Sequence, residues 1–137
     1  IVTLRVQMDQ LATEYGFHYT MKKIETEDVE TFDSHIILFS ALLDYFKEGD
    51  EIFADITFGT KPIPLVFVSA LNYATKIINV KVNTISYARV SHDREKREGL
   101  IYDVTSLFYM NAIIDKIAAL GIKDPKAFIR KMLNGLA

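Results

Sequence analysis

The chain reads as an α/β domain: a mostly parallel, Rossmann-like sheet with helices on both faces. Three observations predict this. Segments of helical and strand periodicity alternate along the chain, the pattern of strands joined by crossover helices. Glycine and proline fall at the joints between those segments. Two strand patterns, at 80–90 and 100–105, succeed one another with no helix between them, which predicts an antiparallel β-hairpin toward the C-terminal end.

The elements run in order. Leu4, Met8, Leu11, Ala12 and Tyr15 recur at helical spacing and Gly16 supplies a stop, so residues 2–15 are expected to be helical, with a strand remnant over 1–6. Phe17, Tyr19, Met21 and Ile24 partly alternate with polar residues and predict a strand over 17–24. Thr26, Glu27, Asp28 and Glu30 mark a helix start, since acids are favoured near the positive end of the helix dipole. Phe32, Ile36, Phe39, Leu43 and Phe46 continue its apolar stripe until Gly49.

Residues 51–57 predict a short strand, and 63–76 a helix opened by Pro62 or Pro64, as proline suits a first turn. In the strand at 80–90, Val80, Val82, Thr84 and Ser86 are expected to share one face. The stretch 91–99 is a polar loop with six charged residues. A strand over 100–105 and a helix over 106–120, stopped by Gly121, come next. Asp124 and Pro125 open a last helix. A doubly wound sheet begins with a strand. A helical first element therefore predicts that the first strand lies outside this sequence, and that residues 1–137 form one domain of a longer protein.

Composition bounds the function. A length of 137 residues suits one domain, and 50% hydrophobic with 12% aromatic residues is too apolar for disorder. The net charge of −2 describes neither a nucleic-acid coat nor a membrane-surface protein, so no direct DNA binding is expected and any anion site must be local. The absence of cysteine excludes disulfides, thiolate zinc sites and cysteine nucleophiles, and fits a reducing cytoplasm. The longest apolar stretch, 63–74, falls short of the roughly 20 residues a bilayer span needs.

The informative segment is Asp55-Ile56-Thr57-Phe58-Gly59-Thr60-Lys61-Pro62, where a strand ends and a helix begins. Ligands of open α/β sheets bind beyond the carboxyl ends of strands. A helix N-terminus offers free N–H groups and a positive dipole end, where anions bind. Gly59 lets backbone approach a ligand, Thr57 and Thr60 add hydroxyls, and Lys61 adds a positive charge. The spacing is neither that of a P-loop nor that of a dinucleotide-binding glycine fingerprint. The same residue types also suit an ordinary βα turn with a glycine, a cap and a solvated lysine.

Gly49-Asp50-Glu51, then Asp55-Ile56-Thr57-x-Gly59, Pro64, Ala70-Leu71-Asn72-Tyr73, Ile85-Ser86-Tyr87 and Tyr102-Asp103-Val104-Thr105 come in that order. This succession, over residues 25–117, resembles the CRISPR-associated Rossmann-fold (CARF) domains that sense cyclic oligoadenylates in type III CRISPR immunity. In that family a strand ends in Asp-Ile-Thr-His-Gly-x-Arg or Thr-Gly-Gly-Thr-Lys before an apolar helix, and a later strand reads Asp-Leu-Thr. Two features depart from it: Phe58 stands in place of His or Gly, and the first strand is missing.

The resemblance implies a cytoplasmic homodimer whose two turns face each other across a two-fold axis, matching a cyclic tetra-adenylate or hexa-adenylate, with the tetra-adenylate favoured. It implies a ligand site of Thr57, Phe58, Gly59, Thr60, Lys61 and Pro62, with no metal and no cofactor. It also implies an effector outside this chain, a nuclease or a membrane segment that could tether the protein. The helix at 63–76 adds a separate hint, since it has almost no polar face and needs cover on more than one side. A dimer partner or a larger single chain would serve.

Tyr87 and Arg89, at the end of their strand, are placed to stack on or pair with a nucleotide. His18 reads as structural and His35 as an ordinary helix residue. His92 and Asp93 lack the further ligands of a metal site. Asp55 and Asp103 lie near strand ends, where capping and hydrogen bonding to backbone N–H groups are favoured over acid–base work. The charged loop is a solvated hairpin tip or a lid that brings an arginine over the ligand. Three functions compete: a sensor whose dimer switches an effector, a metal-independent ring nuclease in which Lys61 stabilises charge while a ribose 2′-hydroxyl attacks, and a dimerising scaffold.

Overall fold

The computed structural model describes residues 2–26, 31–91 and 98–135. Its elements are α1 (Val2–Tyr15), α2 (Phe32–Leu43), β1 (Glu51–Asp55), α3 (Ile63–Ile77), β2 (Lys81–Val90), β3 (Gly99–Asp103), α4 (Thr105–Leu120) and α5 (Pro125–Asn134). The α/β class holds. A three-stranded sheet runs β1-β2-β3, with β1 parallel and β3 antiparallel to β2. The parallel pair is joined through α3, as a crossover requires, and the antiparallel pair is the expected hairpin.

Local chemistry explains the boundaries. Thr31 and Ser34 cap α2 reciprocally, each side chain accepting the other's backbone N–H. The acids Glu27, Asp28 and Glu30, expected to open that helix, lie outside the described residues. Gly121 ends α4 in the left-handed conformation, at φ 61°. Asp124 accepts the Ala127 N–H at 3.0 Å to start α5.

One core holds the sheet to its helices. Leu71 of α3, Val82 and Ile85 of β2, and Phe108 of α4 are buried together, with Phe46, Ile52, Ala54, Ile56, Val68 and Val104 packed around them. Val82 and Ile85 are three positions apart and still share a face because the ladder slips. Ile52 is opposite Val82, whereas Phe53 is opposite Thr84. Asn83 is the extra residue of a β-bulge, which reverses the alternation after it. Thr84 and Ser86, expected on the face of Val82, therefore lie on the other one. Asn83 Nδ2 and Lys81 Nζ both donate to Glu51 Oε1, at 2.5 and 3.2 Å.

Three expectations change. The strand at 17–24 does not form: residues 17–26 have no ladder partner, and Tyr19 folds back so that its hydroxyl donates to Asp9 Oδ1 at 2.6 Å. Residues 2–6, expected to include a strand remnant, belong to α1. The helices expected on both faces are found, for α3 and α4, on one. Both pack on the core, joined to each other by a Lys76–Asp115 ion pair, and the Tyr109 hydroxyl donates to the Val82 carbonyl at 2.5 Å. Among the described residues the opposite face is uncovered at Phe53, 68% exposed, and Ile101, 78% exposed.

Candidate functional site

The strand β1 stops at Asp55 because the chain turns to satisfy that carboxylate. Asp55 Oδ1 accepts the Thr57 N–H at 3.0 Å, and Oδ2 accepts the hydroxyls of Thr57 at 3.0 Å and Ser86 at 2.8 Å. Thr57 Oγ1 in turn accepts the Ala88 N–H at 2.8 Å, which staples the turn to β2 beyond the end of the ladder. Burial works against ionisation of Asp55, but the hydrogen bonds from Ser86 and Thr57 outweigh it and hold its pKa below the ordinary value.

The same device recurs where β3 meets α4. Asp103 Oδ1 accepts the Thr105 hydroxyl at 2.5 Å and the Thr105 N–H at 2.9 Å, and Thr105 Oγ1 accepts the Ile85 N–H at 2.8 Å. These bonds, the side-chain one foremost, lower the Asp103 pKa. Both aspartates thus serve turns and backbone N–H groups, as their positions near strand ends predict.

The start of α3 offers an anion less than its position promised. Pro64 has no N–H. Ile63 donates to the Thr60 carbonyl at 3.0 Å, and Leu65 and Val66 donate to the Pro62 carbonyl at 3.0 and 3.2 Å. Pro62 is the N-cap, with no side-chain capping bond. The free donors lie one step earlier. Among the described residues, the backbone N–H groups of Phe58, Gly59, Thr60 and Lys61 have no partner. Gly59 is needed for conformation, with φ at 129°. A Cβ there would come within 3.3 Å of Ile63 Cβ and Cγ2, so that side of the glycine faces α3.

A concavity of about 760 Å³ opens between this turn and the hairpin. Thr57 and Phe58 of the turn, Tyr87, Ala88 and Arg89 of β2, Leu100 of β3, and Ser91 and Glu98 between the strands line it. The volume is within the range of small-molecule sites, about 300–1,000 Å³. Tyr87 stacks on Tyr102, with ring centroids 6.4 Å apart and planes 24° from parallel. Phe58 is 84% exposed at the rim.

The structure brings together four of the site residues predicted from sequence: Thr57, Phe58, Tyr87 and Arg89. Gly59, Thr60, Lys61 and Pro62 do not line the concavity. Lys61 is exposed and makes no ion pair among the described residues. Ala88 escaped sequence reasoning, and Ser91, Glu98 and Leu100 were read only as positions of the polar loop and the strand after it. The signal for the last two was the hairpin itself: pairing Arg89 with Leu100 and residue 90 with 99 brings 98 beside 91.

His18 is exposed and His35 half-buried on α2; His92, Asp93 and the rest of the expected lid, residues 92–97, lie outside the described residues. Among the described residues, no group of three or more His, Asp or Glu side chains could hold a metal, and no helix is long and apolar enough to cross a membrane.

No family model matches the chain. A stretch of 79 residues, 58% of the chain, is 33% identical to the CRISPR-associated protein MJ1674 of Methanocaldococcus jannaschii. The chain is similar to a CRISPR-associated protein. The match spans 12% of that relative's length, so it reaches a single segment of a much larger protein.

Proposed function

We propose that the chain is the ligand-sensing domain of a CRISPR-associated protein, and that the concavity beside Thr57 binds a cyclic oligoadenylate, the tetra-adenylate in first place. One observation carries the reading: Thr57, Phe58, Tyr87 and Arg89 line one concavity, next to four backbone N–H groups with no partner among the described residues. Such amides suit phosphate oxygens. The tyrosine and arginine suit a base and a phosphate. The similarity to a CRISPR-associated protein supports the same class of role.

A concavity of about 760 Å³ suits part of such a ring better than the whole. That agrees with a ring shared between two copies of the chain, each supplying the same contacts. Binding switches an effector outside this chain, a nuclease or a membrane segment, if the ring binds one arrangement of the dimer better than the other.

Titration calorimetry with cyclic tetra-adenylate and cyclic hexa-adenylate tests the reading. Arg89→Ala is expected to weaken binding by about 1.5–3 kcal/mol, the value of a hydrogen bond to a charged group. Lys61→Ala is expected to cost about 1 kcal/mol or less, because an exposed ammonium outside the lining of the concavity acts through screened charge. Linear products after incubation would favour a ring nuclease over a sensor. A flat titration against both rings would leave only the scaffold.

A further inference from the structure

We propose that the Thr57 hydroxyl reads a hydrogen-bond donor of the ligand, a ribose hydroxyl or an exocyclic amine, and not a phosphate oxygen. This rests on the nucleotide reading above and adds which part of the nucleotide meets which part of the site. A hydroxyl has one proton and two lone pairs. The Ala88 N–H can only donate, so at 2.8 Å Thr57 Oγ1 accepts it. An ionised carboxylate can only accept, so the Thr57 proton points to Asp55 Oδ2 at 3.0 Å. Ser86 offers that proton no alternative acceptor, because its own hydroxyl donates to the same oxygen at 2.8 Å.

One lone pair is left, on a residue that lines the concavity. A phosphate oxygen placed there would face that lone pair with the Asp55 carboxylate behind it. A donor placed there completes the hydroxyl and is favoured by the same negative charge. Phosphates therefore fall to Arg89 and the Phe58 N–H, both of residues that line the concavity. Thr105 provides the comparison inside the molecule. Its proton and one lone pair are committed to Asp103 and Ile85 in the same way, yet it is buried at 9% exposure and is not part of the lining.

The test is calorimetric titration of the wild-type chain, Thr57→Val and Thr105→Val with three rings: cyclic tetra-adenylate, its 2′-deoxy counterpart, and cyclic tetra-inosinate, which lacks the exocyclic amine. The wild type is expected to bind one of the two analogues about three- to tenfold more weakly than the parent, the worth of one neutral hydrogen bond. Thr57→Val is expected to bind the parent more weakly by the same factor and to lose that discrimination, with the analogue arm identifying the donor as hydroxyl or amine. Thr105→Val is expected to keep the discrimination.

Equal wild-type affinity for all three rings overturns the inference without any variant having to fold. So does full discrimination retained by Thr57→Val. Either result leaves the nucleotide reading intact as long as the parent ring binds. No binding of any ring overturns that reading, and the inference with it.

Discussion

Asp55-Ile56-Thr57 and Asp103-Val104-Thr105 perform one manoeuvre on opposite sides of β2. Each ends its strand opposite Ser86, each aspartate accepts the backbone and side-chain donors of the threonine two positions on, and each threonine accepts an N–H from β2. The donors, Ala88 and Ile85, are three residues apart. The two corners differ in the segment that comes next. After Thr105 the chain enters α4 directly and its hydroxyl is buried under the core. After Thr57 come four residues with no backbone N–H partner among the described residues before α3 begins, and the hydroxyl borders a concavity. The Asp-x-Thr unit is therefore structural in itself. A candidate site arises where the chain delays its next helix.

The sharpest way to break this comparison is to remove both hydroxyls in turn. Thr105→Val leaves the Ile85 N–H without its acceptor in a buried setting and is expected to cost about 1–3 kcal/mol in urea denaturation. Thr57→Val is expected to cost less, because water reaches the Ala88 N–H at a half-buried corner. Equal losses would mean that the two corners do not differ in burial as described.

A second change touches only the open corner. Gly59→Ala introduces a side chain at φ 129° and a contact of 3.3 Å with Ile63, so a loss of about 1–2 kcal/mol in stability is expected. An unchanged melting temperature would show that this turn is not held in that conformation.

The smallest effect concerns acid. Both Asp55 and Asp103 have lowered pKa values, so the folded chain takes up these protons less readily than the unfolded chain does. Their contribution is then fully present above the ordinary carboxylate range, about pH 4, and is lost as the pH falls through the lower folded values. Urea midpoints tracked downward from neutral pH are expected to fall in that window. The fall should shrink in a Thr57→Val/Thr105→Val double variant, and a fall of the same size there would assign the acid sensitivity to other carboxylates.

Much of this was legible in the residues. The helices at 2–15, 63–76 and 106–120 and the strands around 51–57, 80–90 and 100–105 match α1, α3, α4 and β1 to β3 to within a few residues. Strong periodicity and the breakers Gly16, Pro62 and Gly121 are local signals. That Thr57, Phe58, Tyr87 and Arg89 would come together was legible because they lie at strand ends, where open sheets present ligand groups. The segment at 17–24 misled because its alternation was real but no neighbouring strand answered it, and Tyr19 found Asp9 instead. The face of Thr84 misled because the bulge at Asn83 depends on a partner strand that the alternation within β2 cannot reveal.

The sequence by itself determined where the chain turns and which stretches are helical or extended, since those depend on side chains a few residues apart. Only the tertiary structure decided which hydrogen-bonding groups are spent and which are left over. Gly59 proved to turn its bare side toward Ile63, Lys61 not to join the lining of the concavity, and Thr57 to have its proton committed to Asp55. The physical reason is that a donor or acceptor is free or satisfied according to what the register brings opposite it, and register joins residues about thirty positions apart in the chain.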